Sequence, residues 1–212
     1  PYLFGAELVR ISVARTRSKL VVSYHQDLLL HGLKGILAQK YESIQRLLTL
    51  RIAEKIVVPS LDYLVGSKIE TLLRARRGDV AVIPHGVDTD LFSRSNLDTI
   101  NIFRGDQGLS QTPRRIILFA GNLDPAHRFK GFDVLLQAFS LLYRRASETP
   151  ALIAVGGGSL IGYYKLLAKR LGVEPFVRFQ GRVPREDLAK YYSMASLLVL
   201  PSLSRSEIYG LV

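Results

Sequence analysis

Four segments bring together residue types that do chemistry, and each lies directly or a few residues after a short apolar run. Tyr24-His25-Gln26-Asp27 follows Leu20–Ser23, and an imidazole at such a point can move a proton or hydrogen-bond a bound polar group. Gly121 to Gly131 follows Ile116–Ala120 and sets His127, Arg128 and Lys130 within four residues. Cations gathered ahead of a helix N-terminus hold a diphosphate, whereas the same charges on a free loop are only solvated. Gly156-Gly157-Gly158-Ser159 follows Ala151–Val155. Glycines there let backbone approach a phosphate, and they equally suit a tight strand-to-helix turn. Ser204 to Gly210, after Ser196–Leu200, sets the carboxylate of Glu207 beside Tyr209-Gly210, a grouping suited to hydroxyl-rich ligands.

The elements that must position these segments alternate. β-branched and apolar runs at Leu20–Ser23, Lys55–Val58, Val80–Ile83, Arg115–Ala120, Ala151–Val155, Phe176–Phe179 and Ser196–Leu200 predict strands. Apolar residues at helical spacing lie between them, as at Leu37, Tyr41, Ile44, Leu48 and Ile52, and at Leu135, Phe139 and Leu142. Ser67 with Glu70 reads as a capping box, and Pro184 with Glu186-Asp187 as a helix start. Strands alternating with helices predict an α/β fold with parallel sheets, whose ligands bind at the carboxyl ends of the strands. All four segments fall there. Residues 93–113 are rich in Ser, Asn, Asp, Gln and Gly and read as a linker between two α/β units, 1–92 and 114–212.

The chain has 212 residues, 48% apolar and 22% charged, with no Cys. It can bury a core, and disulfide scaffolds, thiolate metal sites and cysteine nucleophiles are excluded. The longest uncharged stretch, Thr149 to Tyr164, contains four Gly and a Pro, too short and broken for a membrane span of about 20 residues. With Pro at position 1 and its one Met at 194, the chain reads as an internal piece of something longer. Lys and Arg number 29 against 18 Asp and Glu, a net charge of +11. The excess is spread over both halves, so it suits nucleotides, lipid phosphates or anionic surfaces. Arg74, Arg76 and Arg77 form the tightest group, expected in the last turn of a helix, where they offset its dipole.

Three motifs resemble one family, the retaining GT-B glycosyltransferases known as glycosyl transferases group 1. They are Ile83-Pro84-His85-Gly86-Val87-Asp88 with Phe92, Gly121 to Gly131 ending Phe129-Lys130-Gly131, and Ser206-Glu207-Ile208-Tyr209-Gly210. The run from Gly181-Arg182-Val183-Pro184 through Tyr191 to Pro201 also resembles the family's. The resemblance implies two Rossmann-like domains, the second binding a nucleotide-sugar donor, with no metal or other cofactor in catalysis. It implies catalytic roles for His25, Lys130 and Glu207: His25 against the reacting sugar, Lys130 on the donor diphosphate, Glu207 on the sugar. Val183 matches a position whose backbone touches the base, and Tyr209 and Gly210 match a step whose amides meet sugar or phosphate. Gly157 joins the donor-binding set through its glycine loop. Asn122 stands where the family often has Arg, which leaves the phosphate contact to His127 or Arg128. His85 stands where Asn is more usual, in a segment read as a structural exit from the first domain. The family's second Glu would fall past residue 212, and its first Gly-rich loop before residue 1.

The expected reaction is transfer of a sugar from a nucleotide-diphosphate sugar, with retention, to a glycan or lipid-linked acceptor. A nucleotide-sugar epimerase or a NAD-dependent Rossmann oxidoreductase is the alternative. The dinucleotide fingerprint fails, however, since Gly156 and Gly158 need a third Gly at 161 and that residue is Ile161. The expected location is cytoplasmic, with basic first-domain helices resting on anionic membrane. Nucleic acid is not an expected partner, because the basic residues lack interleaved aromatics.

Overall fold

In the computed structural model, residues 5–25, 33–65, 67, 69–109, 115–146 and 150–204 are described. The chain divides into two units, Pro1–Gly86 and Val87–Val212. In the first, α1 (Gly5–Thr16), β1 (Val21–Ser23), α2 (Leu33–Ile52), β2 (Lys55–Val58), α3 (Leu61–Leu64), α4 (Glu70–Ala75) and β3 (Val80–Val82) follow in order. The strands pair in the order β1-β2-β3, all parallel. Central β2 supplies the buried core residues Ile56 and Val58, covered by Leu50, Ala53, Ile69, Leu73 and Tyr24.

The second unit comprises α5 (Leu97–Asp106), β4 (Ile116–Ala120), α6 (Phe132–Tyr143), β5 (Ala151–Val155), α7 (Ile161–Arg170), β6 (Val177–Gly181), α8 (Arg185–Met194) and β7 (Leu197–Leu198). Its parallel sheet runs β6-β5-β4-β7. All five residues of β5 are buried, as expected for an inner parallel strand covered on both faces. Successive side chains point to opposite faces, and the core divides accordingly. Phe119, Leu152 and Ala154 pack with Leu136 and Phe139 of α6 and Tyr164 and Ala168 of α7. Ile116, Leu118 and Ile153 pack with Phe103 of α5 and Tyr191 of α8. Each such aliphatic or aromatic side chain removed from water contributes about 1.5–3 kcal/mol.

Every expected strand is present to within a few residues. Three local expectations are corrected. Residues 93–113 are not a plain linker: Asn96 caps α5 by accepting the Thr99 N–H at 2.8 Å, and Ile100 and Phe103 are buried in the second unit's core. Two apolar residues three apart sufficed, because α8 presents a complementary aromatic face. Ser67 forms no capping box. Ile69 occupies the cap position without a side-chain bond, and the Ser67 hydroxyl is buried without a hydrogen-bond partner among the described residues. Arg76, expected to offset its own helix, instead donates to the carbonyls of Leu50, Arg51 and Ala53 at 2.5, 3.3 and 2.6 Å and to Asp79 at 2.9 Å. It therefore satisfies the open carbonyls at the C-terminus of α2.

Candidate functional site

The order of the second sheet fixes where a ligand can sit. From β4 the chain steps to β5 and β6 on one side, and β7 returns to the other side of β4. The chain leaves β4 toward β5 while β7 lies on the other side of β4, so the carboxyl ends of β4 and β7 lie side by side, at the end of the strands where α/β sheets bind ligands. The loop 121–131 leaves β4 here and the loop 199–204 leaves β7. They are joined, since the Leu203 N–H donates to the Phe129 carbonyl at 2.7 Å.

Asp124 begins the first loop's short 3-10 helix, Pro125–Lys130, by accepting the His127 N–H at 3.2 Å, with Pro125 at the first position. The same carboxylate holds His127 Nδ1 at 2.8 Å. The His127 side chain is the leading cause that keeps the Asp124 carboxyl below its ordinary range, with the His127 and Ala126 backbone N–H groups adding to it. Arg128 lies over the Tyr163 ring of α7 at 5.6 Å and 3.7 Å from the Asp133 carboxylate. Lys130 differs from both in being only 9% exposed. Its aliphatic stem lies so close to Gly121 that a Cβ there would sit 2.9 Å from Lys130 Cδ. Its ammonium is 5.8 Å from the Phe129 ring centre. Gly131 then turns the chain into α6 with φ +70°, and a Cβ on it would stand 2.2 Å from the Pro201 carbonyl oxygen. Only glycine allows both the left-handed conformation and the contact with the β7 loop.

The glycine run after β5 has its own reason in the structure. A Cβ at Gly156 would lie 1.9 Å from the Gly121 oxygen, and one at Gly158 would lie 2.1 Å from the Leu123 oxygen. Loop meets loop backbone to backbone, with the Leu123 N–H donating to the Gly157 carbonyl at 2.8 Å and the Gly156 N–H to the Gly181 carbonyl at 2.7 Å. Gly156 and Gly158 thus serve the packing of the two loops. At Gly157 a Cβ would have Arg182 as its nearest neighbour, at 3.7 Å.

Sequence-derived candidates therefore gather unevenly. Asn122, His127, Arg128, Lys130 and Gly157 all lie on the joined loops after β4 and β5, with Asn122 exposed. Val183 packs its side chain against the core shared by α5 and α8. Glu207, Tyr209 and Gly210 lie outside the described residues. His25 belongs to the first unit, one residue past buried Tyr24 at the carboxyl end of β1, with its Nε2 3.0 Å from Ser23 Oγ. Asp124, Tyr163 and Arg182 were not among the sequence candidates. Asp124-Pro125 carries a readable cap signature, whereas Tyr163 and Arg182 reach this edge only through folding. An apolar recess of about 250 Å³ bounded by Ile116, Ile117, Leu142 and Pro150 lies at the opposite edge of β4. Arg115 is the charged residue of its lining, and the recess shares nothing with these loops.

The glycosyl transferases group 1 family model matches residues 104–212. The D-inositol 3-phosphate glycosyltransferase of Streptomyces avermitilis is 37% identical over 175 residues, covering 76% of this chain and 36% of that protein. A GDP-mannose-dependent alpha-(1-6)-phosphatidylinositol monomannoside mannosyltransferase of Mycolicibacterium smegmatis is 34% identical over 123 residues, 58% of this chain and 30% of that protein. The chain thus spans about a third of the length of the curated relatives it matches. Among solved structures, Anabaena HepE in complex with UDP and glucose has a TM-score of 0.65 at 21% identity, covering 94% of this chain and 50% of that one. Sucrose-phosphate synthase from Thermosynechococcus elongatus has a TM-score of 0.60 at 21% identity, covering 93% and 54%. The fold is GT-B, and this chain belongs to the glycosyl transferases group 1 family.

Proposed function

We propose that this chain carries much of the donor site of a retaining, metal-independent hexosyltransferase. The enzyme moves a sugar from a nucleotide-diphosphate sugar to a glycan or lipid-linked acceptor. The observation that carries the reading is Lys130, a largely buried lysine where the β4 and β7 loops join, just ahead of α6. As the bond from the anomeric carbon to the diphosphate breaks, negative charge grows on the leaving oxygen. The Lys130 ammonium and the N-terminus of α6 are fixed in advance to stabilise it. The acceptor oxygen bonds to the same face of the sugar and gives up its proton to the departing phosphate oxygen. Arg128 and His127, with Asn122 beside them, complete the phosphate side in this reading. The backbones at Gly157 and Val183 meet the nucleotide. Glu207 orients sugar hydroxyls, the Tyr209 and Gly210 amides meet sugar or phosphate, and His25 lies against the reacting sugar.

The relatives support a donor with either base, since one is solved with UDP and another is named for GDP-mannose. The epimerase and oxidoreductase alternatives draw no support from the family match. Among the described residues no helix is long and apolar enough to cross a membrane. A net charge of +11 supports peripheral contact with anionic lipid from the cytoplasmic side. In the full-length protein, calorimetric titration with UDP, GDP, ADP and NAD tests the donor reading. Saturable one-to-one binding of one nucleoside diphosphate, weakened by Lys130→Ala, is expected, and preference for NAD would overturn the reading. Turnover of Lys130→Ala at saturating donor should fall at least about a hundredfold, given about 2.7–4 kcal/mol for losing such a donor. Unchanged turnover removes Lys130 from its role. Activity should survive a chelator.

A further inference from the structure

His25 and His85 lie sixty positions apart in the sequence, yet their rings stack with centroids 5.0 Å apart and planes 17° from parallel. They reach each other from opposite sides of β2. His25 follows β1 and His85 follows β3, and those strands flank β2. Strands two places apart are separated by about 9–10 Å, so both loops must lean inward over the carboxyl end of β2. The backbone holds them there. The Tyr24 N–H donates to the Val57 carbonyl at 2.8 Å, one residue before His25, and the Ile83 N–H to the Val58 carbonyl at 2.9 Å, two residues before His85.

We propose that His85 is a positioning residue for His25. An imidazole is free to turn about two side-chain torsions. The Ser23 hydroxyl, 3.0 Å from Nε2, restrains one edge of the His25 ring but not its plane, and the His85 ring supplies the missing restraint across its face. Buried Tyr24 and the β2 ladder fix the backbone, Ser23 the ring edge and His85 the ring plane. His85 also stands where Asn is more usual in this motif, and Asn has no ring to stack. The inference rests on the reading that His25 lies against the reacting sugar, and it assigns residue 85 a part in orienting that contact.

The test uses the full-length protein with His25→Ala, His85→Asn, His85→Phe and the double variant His25→Ala/His85→Asn. Losing a stacking partner is expected to lower kcat of His85→Asn about 3- to 10-fold, with donor KM within about twofold because ground-state binding is untouched. His85→Phe keeps a flat ring and restores kcat. In the double variant the position-85 effect disappears, since there is no ring left to orient. The carbon-bound ring protons of His25 in the NMR spectrum carry a ring-current shift that His85→Asn abolishes and His85→Phe retains. If His25→Ala lowers kcat while His85→Asn changes neither kcat nor the His25 ring signals, the positioning role is overturned and the sugar-side reading of His25 stands. If His25→Ala has no effect on turnover, that reading falls and the inference with it.

Discussion

Lys130 and Gly131 form one device. The lysine is largely buried with its stem against Gly121, and the glycine supplies the turn that starts α6 beside it. Gly131→Ala is expected to destabilise the protein by about 2 kcal/mol or more, combining the left-handed penalty of about 1–2 kcal/mol with a collision against the Pro201 carbonyl. A melting temperature within about 1 °C of wild type, where about 1 kcal/mol moves a chain of this size by about 2–4 °C, would refute it. Tyr192 makes the converse case. Burial alone pushes its phenol up to about 12 from an ordinary 10.0, and its hydroxyl is buried without a hydrogen-bond partner among the described residues. The folded state therefore holds this proton more tightly than the unfolded chain. Its contribution to stability is complete below about pH 10 and lost as pH rises from 10 toward 12. Tyr192→Phe should melt no lower than wild type at about pH 7, since it removes an unpaired polar atom. It should also lose less stability between about pH 9 and pH 11, as thermal melts across that range would report.

At the scale of elements, α5 shows how little pattern a helix needs when a partner waits for it. The helix has ten residues, of which Ile100 and Phe103 are buried. The Phe103 ring meets Tyr191 edge-on at 5.0 Å and 82°. Propensity within 97–106 is ordinary, and the run is flanked by Ser, Asn and Gln that read as linker. Tertiary packing against α8 overrode that reading. Phe103→Ala should cost about 3–5 kcal/mol, the range for truncating a buried Phe, whereas a linker residue at 103 would cost almost nothing. Denaturant unfolding distinguishes the two, and a midpoint equal to that of wild type would mean that α5 is not part of the core. Elements whose apolar runs were continuous, β4 and β5 above all, were legible without ambiguity. Each is apolar along its whole length because each is covered on both faces.

For the whole molecule, the consequential feature is the sheet edges. β1 and β3 bound the first sheet and β6 and β7 the second, among the described residues. Val21 is 59% exposed, Val82 46%, Leu197 54% and Leu198 38%. Apolar strands with open backbone groups pair with other chains. At tens of micromolar this 212-residue chain is expected to elute from a sizing column as a concentration-dependent mixture larger than 23.7 kDa. A monodisperse monomer with a sharp, reversible melt would contradict this. The net charge of +11 opposes association, so raising salt should increase it.

The sequence by itself determined which chemistry this protein can carry and where along the chain it lies. A strand is a short apolar run, a ligand loop follows its carboxyl end, and His25, His127, Arg128, Lys130 and Gly157 are each readable from residue type and that local rule, whereas Asn122 is a candidate only through the family resemblance. Only the tertiary structure decided which of those residues is buried and which is already engaged. Lys130 is set apart from His127 and Arg128 by Gly121, Asp124 and Tyr163, and of these Tyr163 comes from a different helix. It also decided that Gly156 and Gly158 are glycines because two loops touch there, and that His25 has a stacking partner in His85. The physical reason is the same in each case. Periodicity and local propensity act between near neighbours, whereas contact between loops depends on strand order, and strand order is fixed when the helices pack on both faces of a sheet.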